Sequence, residues 1–286
     1  MKRRWLHQAL AVILALAGGS ALALEVRGAW EQGGMVIGRV APAAKVWLDK
    51  TPVAVGRDGH FVLGLDRDAP AQVEVTVADP LGRHGYRFDV ARRSYDVQRI
   101  DGVPERTVTP PAEVLARIRR EQELVDRARA PVSARQDFLS GFARPLEGPI
   151  TGVYGSARIY NGVPKNPHYG LDIAAPGGTL VRAPAAGVVR LAQPDLYFSG
   201  GTLIVDHGQG LTSTFIHLSA LLVSEGDELA RGQPIARVGA TGRATGPHLD
   251  WRMNWRHVRI DPALVLRHFP ATSPAAISAA EPEPEP

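Results

Sequence analysis

No cysteine occurs anywhere in the 286 residues. That absence excludes a disulfide frame, a thiolate metal ligand, a cysteine nucleophile and a lipid-attachment cysteine. A strong charge of one sign is lacking too. The formal charge is +4 at pH 7, and loss of Lys2, Arg3 and Arg4 alone takes it to +1. Nucleic acid is therefore not an expected partner, because its phosphates demand a basic surface. An uninterrupted membrane-spanning run is also missing. The uncharged stretch 5–24 is broken by His7, Gln8 and Gly18-Gly19-Ser20. Residues 1–23 read instead as a secretory signal: a basic start, an apolar core at 9–17 and an Ala21-Leu22-Ala23 cleavage site. The expectation is cleavage after Ala23, a periplasmic location and no stable membrane insertion afterwards.

What is present is turn-rich. Thirty Gly and 23 Pro, with 44% hydrophobic residues, suit β-rich domains able to bury one or two cores. Over 24–108 the runs 45–49, 51–55, 60–65, 72–77 and 86–90 read as short strands. Asp58-Gly59 and Asp79-Pro80-Leu81-Gly82 read as turns between them. The segment is expected to be a small β-sandwich-like module of immunoglobulin type. It carries no visible chemistry; His60 and His84 read as surface residues. Binding of glycan, of a regulatory protein partner, or cover of a neighbouring cleft remain open for it.

Pro110-Pro111 ends that module and opens a helix in a connector spanning 109–136. Val114, Leu115, Ile118, Leu124 and Val125 recur among charges at helical spacing, and Ala130-Pro131 stops the pattern. The last stretch, 271–286, ends in alternating Glu and Pro and is expected to be disordered.

The informative region is 137–270. Pro167-His168-Tyr169-Gly170-Leu171-Asp172 opens it, and Gly246-Pro247-His248-Leu249-Asp250-Trp251 closes it. Gly170 and Pro176-Gly177-Gly178 argue for extended chain rather than helix. In extended chain His168 and Asp172 share a face, as do His248 and Asp250. Imidazole and carboxylate at such spacing suit a divalent metal. His217, in Phe215-Ile216-His217-Leu218, lies between them; alternation along 211–217 would set it on the Phe215 side of its strand.

These segments, with Arg158-Ile159-Tyr160-Asn161-Gly162, Ala183-Pro184-Ala185-Ala186-Gly187, Asp206-His207-Gly208 and Gly239-Ala240-Thr241-Gly242, resemble the M23 zinc peptidases, the LytM/lysostaphin-like enzymes of the bacterial wall. The resemblance covers about 142–269 and implies an antiparallel β-sheet domain with a groove. The whole chain is thus expected to be mainly β: sandwich-like module, helical connector, M23-type domain. By resemblance, His168, Asp172 and Asp250 would ligate Zn2+, while His217 and His248 would orient water and move its proton. Tyr160 would be a hydroxyl donor to the transition state. The substrate implied is the cross-linking or stem peptide of peptidoglycan.

One departure stands out. The family usually has His-x-His where this chain has His248-Leu249-Asp250. A carboxylate can ligate zinc, but two carboxylates cancel its formal charge. The expectations that follow are an alkaline activity optimum and a looser preference for zinc over manganese or cobalt. The alternative is a catalytically degenerate module that binds and activates a separate wall amidase. His207, at a strand end before Gly208, reads as structural, and His257 and His268 as surface or packing residues.

Overall fold

The computed structural model describes residues 24–102 and 111–271; the expected leader and the tail 272–286 lie outside the described residues. Short alternating segments make two antiparallel sheets at the N-terminus. Strands β1 (Glu25–Gly28), β2 (Met35–Arg39), β3 (Lys45–Leu48), β4 (Thr51–Val53), β5 (His60–Gly64), β6 (Gln72–Asp79) and β7 (Gly82–Asp89) form them, in the orders β1-β2-β5 and β4-β3-β6-β7. The Asp79-Gly82 pair closes the β6–β7 hairpin, and Gly59 turns the chain at φ 87° before β5. Both turns fall where their Gly-containing sequences put them. β7 is an edge strand kept exposed and studded with Arg83 and Arg87, which discourages further pairing.

β8 (Val97–Ile100) leaves this module and pairs in parallel with β10 (Ala157–Tyr160), whose other neighbour is β11 (Val163–Lys165). Asn161 and Gly162, both at positive φ, make the two-residue turn of that hairpin. Between lies helix α1 (Ala112–Arg129), which starts after Pro111 and is followed by Ala130 and Pro131. Leu124, Val125 and Ala128 on one of its faces pack on Leu191, Leu196 and Ile204 of the main sheet.

That sheet has eight strands. It runs β18 (Glu228–Leu229), β14 (Gly187–Leu196), β15 (Gly200–Gly208), β16 (Leu211–Leu218), β20 (His248–Trp255), β12 (Gly170–Ala174) and β9 (Ile150–Gly152), with β21 (Val258–Ile260) beside β20. β13 (Leu180–Arg182), β17 (Ala220–Leu221) and β19 (Pro234–Arg237) make a small companion sheet. Every residue of β15 and β16 is buried, since α1 covers Ile204 on one face while Leu203, Val205 and Phe215 enter the core on the other.

Helix α2 (Pro262–His268) follows β21 and packs against β12 and β20. Asp261 caps it by accepting from the Ala263 N–H at 2.8 Å, with proline at the first helical position. The same carboxylate meets Arg93 Nη1 at 2.8 Å, tying the N-terminal module to the sheet. Apolar contacts run without a break from Val36 and Phe61 to Trp255 and Ile260, so the two units share one core. Among the described residues no helix is long and apolar enough to cross a membrane.

Candidate active site

Three neighbouring strands hold the chemistry. In register, Asp172 on β12 stands opposite Asp250 on β20, and Asp250 stands opposite Ile216 on β16. Alternation sends Leu171, Ile173, Leu249 and Trp251 into the core and leaves Asp172, His248, Asp250 and Arg252 on the open face. They line a groove of about 720 Å³.

His168 precedes β12 and is held by its backbone: its N–H donates to Ser156 O at 2.9 Å, and its carbonyl accepts from Gly155 N–H at 2.7 Å. Its Nδ1 lies 3.1 Å from the Val153 carbonyl, which can only accept, so the hydrogen sits on Nδ1. Nε2 then faces Asp172 Oδ1 at 3.0 Å and Asp250 Oδ2 at 3.4 Å. The three residues are buried, and each offers a ligand atom within 4.8 Å of the others. An imidazole lone pair and two carboxylates converging in a buried spot call for a cation between them. Burial alone would lower the His168 pKa, but the two carboxylates outweigh it and hold the ring's pKa above its usual value.

Two glycines make room for this cluster. A Cβ on Gly170 would come to 2.0 Å from Asp250 Oδ1, and one on Gly152 to 2.1 Å from Asp172 Oδ2. Gly170 is thus required by close approach and not by a turn. Sequence reasoning used it only as evidence against a helix.

Arg252 was missed altogether. Its Nη2 donates to Asp250 Oδ2 at 2.6 Å and its Nε to Oδ1 at 2.9 Å. Burial would raise the Asp250 pKa, yet the Arg252 charge and the His168 contact hold it well below the carboxylate range. The signal was available, because positions 250 and 252 share a strand face.

His217 corrects an expectation. Phe215 is buried in the core, whereas Ile216 and His217 both line the groove. Alternation fails because His217 takes φ 65°, at an irregularity in the β15–β16 pairing between Gly201 and Leu203. Its Nδ1–H donates to Thr241 O at 2.8 Å, while His248 Nδ1–H donates to Gly246 O at 2.8 Å. With Nδ1 tied to the backbone, Nε2 is the remaining nitrogen of each ring, and the rings stand 5.0 Å apart. Burial pushes the His217 pKa down to about 4, only partly offset by Asp250.

His207 lies elsewhere, fully buried. Its Nδ1–H donates to Ala186 O at 2.7 Å, and its Nε2 accepts from Ser213 Oγ at 2.8 Å. Trp251 Nε1–H donates to the same hydroxyl at 3.2 Å, so His207 supports the strand carrying Asp250 from behind. His60 accepts no role in the groove: its Nδ1 meets Asp58 Oδ2 at 2.7 Å in the N-terminal turn. Tyr160 belongs to β10, but its side chain lies outside the described residues.

The sequence profile of Peptidase family M23 matches residues 166–262. The peptidoglycan DD-endopeptidase ShyB of Vibrio cholerae is 35% identical over 134 residues, 46% of this chain and 29% of that one. ShyA of the same organism, another peptidoglycan DD-endopeptidase, is 40% identical over 87 residues, 30% and 20% of the respective chains. The match therefore spans less than a third of these relatives' length. A crystal structure described as a putative peptidase M23 from Pseudomonas aeruginosa is 33% identical with a TM-score of 0.65, covering 82% of this chain and 94% of that one.

Proposed function

Because the chain belongs to peptidase family M23, we propose that it is a zinc-dependent endopeptidase cutting peptide bonds in peptidoglycan, working in the periplasm. The observation that carries this reading is the buried convergence of His168 Nε2 with Asp172 and Asp250, the latter two lining a groove that also holds two histidines. One nitrogen and two carboxylate oxygens suit zinc, whose catalytic sites combine three protein ligands with a water. The ion, when bound, supplies Lewis acidity toward a carbonyl and activates water.

The chain's own residues do the rest. His168, Asp172 and Asp250 would hold the ion, and Arg252 holds the Asp250 carboxylate through two hydrogen bonds. His217 and His248 present Nε2 toward the groove, where each can take a proton from water or pass one to the leaving amine. The low pKa of His217 keeps it neutral, and so able to accept, throughout the physiological range. The groove walls from β16 and from residues 243–247 orient an extended peptide across these groups.

Digestion of purified peptidoglycan tests the proposal. Soluble peptide fragments should appear, stop with a chelator and return with added zinc. A zinc-loaded protein that releases none, yet stimulates a wall amidase, would replace the peptidase with the binding-module reading.

A further inference from the structure

Behind the groove lies a second cavity, of about 170 Å³, between α1 and the sheet. It shares Phe198, Ser199, Ile216 and Arg252 with the groove, so the two are adjoining chambers. Three guanidinium groups line it: Arg129 from the last turn of α1, Arg252 from β20 and Arg259 from β21. Their placement is fixed by the strands. Thr214 stands opposite Arg252 in register and accepts from Arg129 Nη2 at 3.0 Å. Arg259 stands opposite Asn254 and donates to its Oδ1 at 3.2 Å.

Among the described residues three cations line this cavity against one anion, Glu121, with Asp126 of α1 near enough to act on Arg129 and Arg259. Asp250 engages Arg252. Glu121, also on the wall, is taken by Arg117 and by the Tyr197 N–H. Among the described residues Arg129 Nε is buried with no hydrogen-bond partner. We propose that the cavity is an anion subsite that receives a carboxylate of the peptide lying in the groove. The inference rests on the peptidase reading, since it is that substrate's carboxylate which enters beside Ser199. Three clustered guanidinium charges, with the idle, buried Nε–H of Arg129 among them, suit an anion that can accept from that N–H. The cavity's size admits a carboxylate with a water or two. Burial, with the like charges of Arg259 and Arg252, lowers the Arg129 pKa to about 9, as expected of a cation awaiting its counter-ion.

The test compares a soluble wall peptide having a free C-terminal carboxylate with the same peptide as its C-terminal amide. Binding is measured calorimetrically on the zinc-loaded full chain in a His217→Ala background, which slows cleavage of the peptide during the titration. The amide should bind about tenfold more weakly, the worth of a charge-assisted hydrogen bond. Adding Arg129→Gln, which keeps a donor toward Thr214 but loses the charge, should erase that difference. Inorganic phosphate should displace the acid and leave the amide bound. Equal affinities for acid and amide would overturn the proposal, as would a difference that survives Arg129→Gln in a protein of unchanged melting temperature. Phosphate binding without any acid–amide difference would mark a free-anion site and overturn the substrate assignment. Cleavage by the wild type is scored separately. Failure to cleave with the acid–amide difference intact removes the peptidase reading and keeps the anion subsite.

Discussion

Asp250 and Arg252, two residues apart on one face of β20, close a two-pronged ion pair at 2.6 and 2.9 Å. The pair changes the charge count of the metal site. His168, Asp172 and Asp250 alone would cancel the +2 of zinc, but Arg252 returns one positive charge to the set. That is the formal charge of a site with two histidines and one aspartate. The ligands alone would set the optimum on the alkaline side, and the Arg252 charge opposes that shift. An activity optimum near neutrality follows instead.

Replacing Arg252 isolates its contribution. Arg252→Gln leaves the buried Asp250 carboxylate without its partner, and the metal-free protein should lose about 3 kcal/mol, the usual cost of breaking such a pair. Zinc should bind more tightly to the variant, since the carboxylate is released to it, and the optimum should move alkaline. Chemical denaturation with and without chelator, beside a pH–rate profile, reads all three effects. An unchanged optimum would show that Arg252 does not tune the centre.

Gly170→Ala tests the close approach beneath Asp250. The added methyl would sit 2.0 Å from Oδ1 and must push the carboxylate or the strand aside. We expect a loss of about 2–3 kcal/mol, in the range of overpacked interiors, with weakened zinc binding. Gly177→Ala, where nothing among the described residues lies within 4 Å of the new Cβ, is the control and should change neither.

The histidines should separate by function. His217→Ala and His248→Ala should retain zinc and lose about 10²–10⁴-fold in rate, as proton-transfer groups do. His207→Ala should keep most of its rate and lose about 2–3 kcal/mol, because Ala186 O and Ser213 Oγ are left without their partner. A His207→Ala protein that is stable but inactive would mean the proton-transfer pair is wrongly chosen.

Acid should destabilise the metal-free protein in a defined window. His217 titrates near 4 in the fold against about 6.5 in the unfolded chain. Between those values the unfolded chain takes the proton first, so this contribution to stability is lost as pH falls. His207, also lowered by burial, acts in the same direction. His168, raised by its carboxylates, acts in the opposite one: its contribution is present at low pH and fades as pH climbs through its folded pKa. Denaturation midpoints from pH 7 to 4 should therefore fall less in His217→Gln than in wild type, and more in His168→Gln. The reverse order would contradict the assignment of these protonation states.

Much of this was legible because it is local. The turns at Asp58-Gly59 and Asp79–Gly82, the helix behind Pro111, and the shared faces of His168 with Asp172 and of His248 with Asp250 all follow from short-range rules. What escaped depends on pairing between distant segments. The turn of His217 into the groove comes from a register irregularity against β15, which strand alternation cannot foresee. The parallel pairing of β8 with β10 brings Arg99 to the groove from the N-terminal module, and nothing in either segment's sequence announces it. Arg252 is the exception, a short-range partner of Asp250 two positions along the same strand face.

The central claim is that His168, Asp172 and Asp250 hold one zinc ion. The direct measurement is the metal content of the purified full chain and of His168→Ala and Asp172→Ala, each checked for retained fold by circular dichroism. The account predicts about one zinc per chain in the wild type, the number a single three-ligand site takes, and almost none in either variant. Full occupancy in a folded variant, or a wild type that takes up no zinc, would contradict it.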